Sequence, residues 1–297
     1  MNEDAAFLVR VPLHVTGLWL PFWRREPLLA GSVGAGLLIA PPATARVRPC
    51  SSRPRFCGVR VKTPGGVVVS GVSVIDELML IEPSLSMKVS VEVDLPVPLG
   101  VGYAASAAVA LSAAIGLGLI EGYTLEEAAR LAHIAEVRAG TGLGDVVAML
   151  YGRGLVLRYS PGGPGEARVE SIPVARRLLV VSRGGPLSTR EMHRRLSWRL
   201  HSMAAPRLAR LLEKPSLERF LAEARGFSVE AGFVSSSEAK VLDEMVEVGL
   251  AEGWYAKKRV IVLVSPKPEE LRLKLKGRLE GDVRVCETST EPLSVKG

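Results

Sequence analysis

The sequence predicts an α+β fold with two domains, and three observations support this prediction. First, 297 residues with 47% hydrophobic and 23% charged side chains can bury two sizeable cores. Second, strand-like runs in the first half lead into alanine-rich helical runs, which favours a mixed or antiparallel sheet covered by helices. Third, the second half reads strand, helices, strand, helix, strand, as in an α+β sandwich with helices on one face of its sheet. A Pro/Gly-rich stretch at 161–167 is either a linker or an exposed hairpin, and the predicted domains, 1–165 and 166–297, meet there.

The charge distribution argues against nucleic acid as a partner. The net charge is +7, but the basic residues are spread along the chain in short clusters such as Lys257, Lys258 and Arg259. Aromatic residues make up only 5%, and they do not interleave with basic residues as they do in single-strand binders. We therefore expect a solvated basic surface that suits anionic small molecules.

Cysteine usage, the N-terminal segment and the amide content bear on cofactors and on compartment. Cys50, Cys57 and Cys286 form neither a CxxC pair nor a Cys/His cluster with zinc spacing, and a Cys50–Cys57 bridge is left open. The acidic start MNEDAAF lacks the basic segment of a signal peptide, so the cytoplasm is the expected location. Glutamine is absent and asparagine occurs only at Asn2, a composition typical of heat-adapted proteins.

Alternating apolar residues predict the strands of the first half. Residues 7–15 predict a strand that ends at a turn at 16–17. Residues 59–74 predict a β-hairpin around a PGG turn. The run MKVSVEVD at 87–94 alternates strictly, which predicts a half-buried antiparallel strand.

Capping residues predict the helices. In TLEEAARLAHIAEVRAG, Thr124 and Glu127 form a capping box and Gly140 is the expected C-terminal stop. Asp145 then opens a short apolar helix. In the second half we expect helices at 188–203, 216–225 and 236–248 and after Pro268, and strands at 177–182, 259–265 and 282–288.

The stretch PLGVGYAASAAVALSAA, residues 98–114, is the first candidate for a ligand site. Gly100 and Gly102 let the backbone approach a ligand, and the helix behind them directs free N–H groups and its positive dipole end towards an anion. Ser106 adds a hydroxyl that can reach a phosphate or a magnesium ion. Three other interpretations stay open at this point: a dinucleotide-binding turn, a membrane span over the uncharged residues 95–120, and a buried Ala/Gly helix without a ligand.

Four other features have both a functional and a structural interpretation. His14 lies beside a strand break, where a histidine is either structural or faces a phosphate. GSVGAG at 31–36 reads as an anion-binding segment that includes Ser32, or as a tight turn. Glu136 lies near the C-terminal end of its helix, where the dipole disfavours an acid, and Asp145 is either a helix cap or part of a site. Because a tight glycine turn separates Glu136 from Asp145, the two carboxylates could converge on one cleft.

Together these stretches resemble the galacto-, homoserine, mevalonate and phosphomevalonate (GHMP) kinases, whose signature loop PxxxGLGSSAA aligns without a gap to PLGVGYAASAA. Within this superfamily the sequence is most similar to the archaeal pantoate kinases, through VPLHVTGLW, PLLAGSVGAG, residues 133–165 and FSVEAGFVSSSEAKVLDEMVEVG. The resemblance implies the two-domain GHMP fold, with a ferredoxin-like C-terminal domain. It also implies a kinase that uses ATP and Mg²⁺ to phosphorylate pantoate on the route to coenzyme A.

The resemblance also implies roles for individual residues. Ser106 and Glu136 would bind magnesium. Asp145 would accept the proton of the acceptor hydroxyl or orient it, and His14 would face the substrate or a phosphate. The residues expected around the ATP phosphates are Pro98, Gly100, Val101, Gly102, Tyr103, Ala104, Ala105, Ser106 and Ala107. The residues expected near the acceptor are Gly31, Ser32 and Gly34, with Arg158 suggested for its carboxylate.

The sequence departs from the family pattern in two places. Ala104 and Ala105 stand where the signature loop has its third glycine and its first serine. A C-terminal glycine-rich motif is expected near 249–260, where LAEGWYAKKRV keeps only Gly249 and Gly253. Two alternatives therefore stay open: another small-alcohol kinase of the homoserine or mevalonate type, and a catalytically silent binding protein on the same fold. No membrane partner is expected, and a homodimer is one option for the oligomeric state.

Overall fold

The computed structural model describes residues 7–49, 58–68, 72–83, 89–196 and 198–297, and its strands form one mixed sheet. The Cys50–Cys57 bridge falls outside these residues. The elements of the first half are β1 (Phe7–Phe22), β2 (Gly31–Pro49), β3 (Gly58–Thr63), β4 (Gly66–Val68), α1 (Ser73–Ile81), β5 (Val89–Asp94), α2 (Ala105–Glu121), α3 (Leu125–Ala139), α4 (Asp145–Tyr151) and β6 (Leu155–Arg158). Those of the second half are β7 (Val169–Ile172), β8 (Arg177–Ser182), α5 (Thr189–Leu196), α6 (Arg199–Glu213), α7 (Leu217–Glu230), α8 (Ser236–Glu247), β9 (Gly253–Lys257), β10 (Val260–Val264), α9 (Pro268–Leu275), β11 (Asp282–Thr288) and β12 (Ser294–Lys296).

The long antiparallel pair β1–β2 lies at the centre of the first half. The prediction that the first strand ends at residue 15 is wrong, because β1 continues through Pro12 and Gly17 to Phe22. Both residues fall at register shifts of the β1–β2 ladder, so each is accommodated as a bulge. The run 31–36 is likewise the beginning of β2 and not a turn.

The outer strands of the first half differ from the prediction in two respects. The predicted hairpin is confirmed over β3 and β4, but its last residues belong to α1, whose buried Val74 and Leu78 are spaced for a helix face. β5 pairs antiparallel with β2 as predicted, and it also pairs parallel with β3 on its other edge. The strict alternation reported burial on one face correctly, since Val91 and Val93 are buried, but it could not report the direction of a neighbouring strand.

Helices α2 and α3 pack together behind this sheet. α2 is buried almost throughout, from Ala105 to Gly118, which explains why residues 95–120 are so apolar. No helix in the described ranges is long and apolar enough to cross a bilayer. α3 begins with the predicted capping box of Thr124 and Glu127 and ends at Gly140, whose φ is +67°.

The antiparallel strands β11, β8, β10 and β9 form the second half of the sheet. Leu179 and Val181 of β8 pack in a cluster with Leu242 of α8 and Leu271 of α9. The alternate β8 residues face the main core, which includes α6 and α7. The prediction of helices on one face only is therefore wrong. The fully buried patterns of β9 and β10 reflect this two-sided covering.

The sheet continues across the predicted domain boundary. β11 pairs with β2 at Thr288 and Ile39, β12 pairs with β1 through Leu8 and Lys296, and β7 pairs with β6. The stretch 161–167 joins β6 to its antiparallel neighbour β7. The single helix expected at 188–203 is divided into α5 and α6. The division at residue 165 remains a prediction.

Candidate active site

The glycine-rich stretch before α2 forms a tight loop with three left-handed backbone conformations. Gly100, Gly102 and Ala104 have φ values of +78°, +139° and +52°. Ala104 is the N-cap of α2, and no side chain among the described residues caps it. The first N–H groups of this 17-residue helix are therefore available to an anion at the loop.

A narrow cleft, here called the loop cleft, opens at this point. Its wall contains Gly100, Gly102, Ala104, Ala105 and Ser106, and on the opposite side Thr141, Asp145, Thr189, Lys257 and Lys258. The other expected phosphate contacts, Pro98, Val101, Tyr103 and Ala107, are outside this lining. Val101 and Tyr103 have buried side chains, and the Tyr103 hydroxyl lies 2.6 Å from Ser182 Oγ, so these two residues support the loop from the core.

The turn between α3 and α4 brings the two predicted carboxylates together. A Cβ placed on Gly142 would lie 2.0 Å from Glu136 Oε2 and 3.4 Å from Asp145 Oδ2. Thr141 Oγ1 donates a hydrogen bond to Glu136 Oε1 at 2.6 Å. Burial raises the pKa of Glu136 to about 7, although the hydroxyls of Thr141 and Ser106 hydrogen-bond to it. The expected convergence of Glu136 and Asp145 is therefore present.

Asp145 is held by three side chains from two distant parts of the chain, β1 and β9. His14 Nδ1 lies 2.7 Å from Asp145 Oδ1, Thr16 Oγ1 donates to the same oxygen at 3.1 Å, and Lys257 Nζ lies 3.7 Å from Oδ2. Burial lowers the pKa of His14 to about 4 despite the carboxylate, because the cations of Arg158 and Lys257 act in the same direction as burial. The neutral His14 therefore donates through Nδ1. Lys257 and His14 hold the pKa of Asp145 below its usual range, against the effect of burial.

Asp145 also lines a second narrow cleft, here called the acceptor cleft. Arg158 and Ser32 line it, together with the apolar side chains of Trp19, Leu143 and Met192. Arg158 is only 1% exposed, and among the described residues its NH1 atom has no hydrogen-bond partner. A cationic donor is thus buried and available at the wall of the cleft.

Glycines make room for the side chains of this cleft. A Cβ on Gly34 would lie 2.6 Å from the Arg158 NH2 atom, and one on Gly36 would lie 2.4 Å from His14 Nε2. A Cβ on Gly144 would lie 2.4 Å from Ser32 Oγ and 2.7 Å from Arg158 Nε. The glycines at the start of β2 therefore allow His14 and Arg158 to pack closely against the strand. An anion-binding role for this segment remains a prediction.

The predicted site residues fall into two groups. Ser106, Asp145, Ser32 and Arg158 line one or both clefts. His14 lines neither cleft and reaches the site through Asp145, while Gly31 packs against the backbone of Gly162. The sequence interpretation missed Thr16, Thr141, Thr189, Lys257 and Lys258. A signal existed only for the last two, as a basic cluster directly after the apolar run GWYA.

Glu136 and Ser106 form a donor set that suits a magnesium ion. Both groups present oxygen atoms, which Mg²⁺ prefers, and magnesium usually takes only one or two protein carboxylates because substrate phosphates and water complete its shell. The buried carboxylate of Glu136 borders the loop where phosphates are expected. No group of three or more His, Cys, Asp or Glu side chains placed to hold a metal occurs in the described residues.

The sequence of this chain is similar to those of known proteins. A family model described as the GHMP kinases N terminal domain matches residues 70–153. The chain is 30% identical over 245 residues to the pantoate kinase of Thermococcus kodakarensis, covering 80% of each chain, and 32% identical over 123 residues to that of Methanocaldococcus jannaschii, covering 40% of this chain and 44% of that one.

Solved structures agree with these sequence relationships. A phosphotransferase related to the coenzyme A biosynthesis pathway superposes with a TM-score of 0.81 at 26% identity, covering 98% of this chain and 99% of the other. A mevalonate kinase superposes with a TM-score of 0.61 at 12% identity, covering 96% and 99%, which shows a shared fold. The α+β architecture predicted from the sequence is thereby confirmed.

Proposed function

The chain belongs to the GHMP kinases, within the pantoate kinase family, and we propose that it transfers the γ-phosphoryl group of ATP to the primary hydroxyl of pantoate. The two adjoining clefts suit this reaction, because one is built for phosphates and the other for a small anionic alcohol. Asp145 and Lys257 line both clefts and so mark where the hydroxyl and the phosphoryl group would meet.

Arg158 supports an acceptor that carries a carboxylate, and the apolar side chains of the same cleft favour pantoate. The Arg158 guanidinium is buried and has an unpartnered NH1 atom at the acceptor cleft in the described structure, so a carboxylate would supply the missing acceptor of hydrogen bonds. Pantoate carries one carboxylate and a dimethyl-substituted carbon between that group and its primary hydroxyl. The apolar side chains of Trp19, Leu143 and Met192 would contact the methyl groups.

Asp145 orients the acceptor hydroxyl more effectively than it removes a proton in the ground state. Its pKa is held low by Lys257 and His14, which makes it a weak base. Phosphoryl transfer proceeds through a loose transition state in most analyses, so positioning of the nucleophile supplies much of the rate. The acceptor oxygen bonds to phosphorus as the bond to the β-phosphate breaks, and the hydroxyl proton passes to Asp145 late in the step.

Ser106 and Glu136 would hold Mg²⁺ beside the phosphates. When bound, the ion neutralises charge on the β- and γ-phosphate oxygens. The residues of the chain then act around it: the N–H groups at the start of α2 bind phosphate oxygens, and Thr141 holds Glu136 Oε1 in place. Ala104 and Ala105 have small side chains, so they leave these backbone N–H groups accessible.

The test is a substrate panel with a matched variant. Purified protein with ATP and Mg²⁺ is assayed on pantoate, homoserine and mevalonate, and Arg158→Met is compared with the parent. We expect turnover of pantoate, and a rise in the pantoate KM of roughly 100-fold in Arg158→Met, because a charged hydrogen bond to the carboxylate is lost. Turnover of homoserine or mevalonate but not pantoate would refute the acceptor, and no turnover at all would favour the silent binding protein.

A further inference from the structure

The β9–β10 hairpin packs directly on the nucleotide loop. Its two-residue turn consists of Lys258 and Arg259, and the Arg259 N–H donates to the Val101 carbonyl at 3.1 Å. A Cβ on Gly102 would lie 2.7 Å from the Lys257 carbonyl oxygen, so glycine is required there for the loop and the hairpin to meet. A segment that departs from the family motif in sequence therefore still reaches the loop.

Lys257 places a buried ammonium where the two clefts join. It is 8% exposed and lines both clefts, and its Nζ atom lies 3.7 Å from Asp145 Oδ2. The same atom lies 5.7 Å from the centroid of the Trp19 ring, which closes one side. If Asp145 orients the acceptor hydroxyl, Lys257 is the cation nearest to the bond that forms.

Lys258 has a different position. It lines the loop cleft only, and its Nζ donates to Thr189 Oγ1 at 2.7 Å, which in turn donates to the Thr141 carbonyl at 2.8 Å. The φ of Lys258 is +55°, a conformation that favours glycine, and a lysine adopts it at a backbone cost of about 1 kcal/mol. The two lysines are thus directed at different parts of the same site.

The charges at the site suit an anion between these lysines. Lys257 and Arg158 are buried and Lys258 is partly buried. Asp145 forms an ion pair with Lys257, and His14 is neutral. Removing cations from water is costly unless a counter-charge is near. Glu136 is engaged by Thr141 and Ser106. A polyphosphate in the loop cleft would supply the counter-charge.

We infer that Lys257 contacts the phosphoryl group during its transfer and that Lys258 binds the phosphates of the nucleotide before transfer. This inference rests on the proposed kinase function and adds two catalytic-site residues to it. In this role the ammonium group of Lys257 neutralises charge on the equatorial oxygens, while the P–O bond to the β-phosphate breaks and the bond to the acceptor oxygen forms. Nothing is consumed in the step apart from ATP and the alcohol.

The first experiment separates the two lysines by steady-state kinetics on the full chain. Lys257→Met is expected to lower kcat by roughly 100-fold or more with the KM for ATP changed by less than about threefold, and Lys257→Arg to recover at least about tenfold. Lys258→Met is expected to raise the KM for ATP by roughly tenfold and to lower kcat by less than about fivefold. A kcat of Lys257→Met close to that of the parent would overturn the role of Lys257.

The second experiment excludes a purely structural ion pair between Lys257 and Asp145. Asp145→Asn and the double variant Asp145→Asn/Lys257→Met are compared for binding of Mg-ADP with aluminium fluoride, a mimic of the transferring group, without acceptor. The double variant removes both charges of the Lys257–Asp145 ion pair, and it is expected to bind the mimic at least about tenfold more weakly than Asp145→Asn, with equal ADP binding. Equal binding of the mimic would overturn the inference. This binding experiment contains no acceptor alcohol, so its result does not depend on pantoate. If the parent failed to phosphorylate pantoate, only the proposed acceptor would be refuted.

Discussion

Replacement of Gly144 by alanine tests the geometry of the acceptor cleft. The new Cβ would lie 2.4 Å from Ser32 Oγ and 2.7 Å from Arg158 Nε. To restore an ordinary contact of 3.4 Å, the serine oxygen must recede by about 1 Å and the arginine nitrogen by about 0.7 Å. Gly144 has a φ of −162° and a ψ of 2°, which is outside the left-handed region, and the expected effect is worked from the two close contacts.

A displacement of 1 Å at a positioning group costs roughly 100-fold in rate. We therefore expect Gly144→Ala to lower kcat/KM for pantoate by roughly 100-fold, mainly through KM, while the dissociation constant of ADP changes by less than about twofold. Overpacking of the buried turn should also lower the free energy of unfolding by about 1–3 kcal/mol. Steady-state kinetics, calorimetric titration with ADP and urea unfolding followed by circular dichroism measure the three quantities.

Gly185→Ala is the matched control, because no described atom lies within 4 Å of a Cβ at that position. Its kinetic constants and stability are expected to equal those of the parent. Parental kinetics in Gly144→Ala would show that Ser32 and Arg158 do not set the acceptor geometry, and the reasoning would be wrong. A loss of ADP binding equal to the loss of kcat/KM would point to a general disturbance of the fold.

Three further outcomes are expected. Asp145→Asn should lower kcat by at least roughly 100-fold with an unchanged circular dichroism spectrum, and an unaltered rate would remove Asp145 from the mechanism. The pKa of His14 falls from 6.5 to about 4 on folding, so between these values the unfolded chain binds a proton that the folded chain does not. Lowering the pH from 7 to 5 should therefore decrease the free energy of unfolding by about 2 kcal/mol through this residue. Urea unfolding of His14→Gln should show a flatter pH dependence than that of the parent. Ala104→Gly should raise the free energy of unfolding by about 1 kcal/mol, since glycine adopts the left-handed N-cap without strain, whereas Ala105→Gly in the helix should lower it.

Local signals in the sequence predicted the elements that depend on local chemistry. The capping box at Thr124, the stop at Gly140 and the helix that opens at Asp145 are present as expected, because each is decided within a few residues. The same holds for the glycine loop at 98–104 and the helix α2 that follows it, which are adjacent in the chain. The order of these segments was sufficient to indicate the family.

Features decided by distant parts of the chain were missed. Nothing near Pro12 or Gly17 shows that a long partner strand carries β1 past both residues, and nothing near Val91 shows that one of its neighbours runs parallel. The site has the same limitation. Thr16 and Lys257 contact Asp145 from opposite ends of the chain. The pairing of distant strands in the sheet brings them together, and residue spacing in the sequence does not predict it.

The sheet that joins the two halves also bears on how the chain folds during synthesis. β1 is made first, yet residues 8–10 gain their second neighbour only when β12 is made. Until then this strand presents an unpaired edge, which is prone to association with other chains. Lys257 is likewise made long after the loop it packs against, so the nascent chain has a phosphate loop before it has the complete site. Folding of this protein is therefore expected to be dominated by late, long-range pairing.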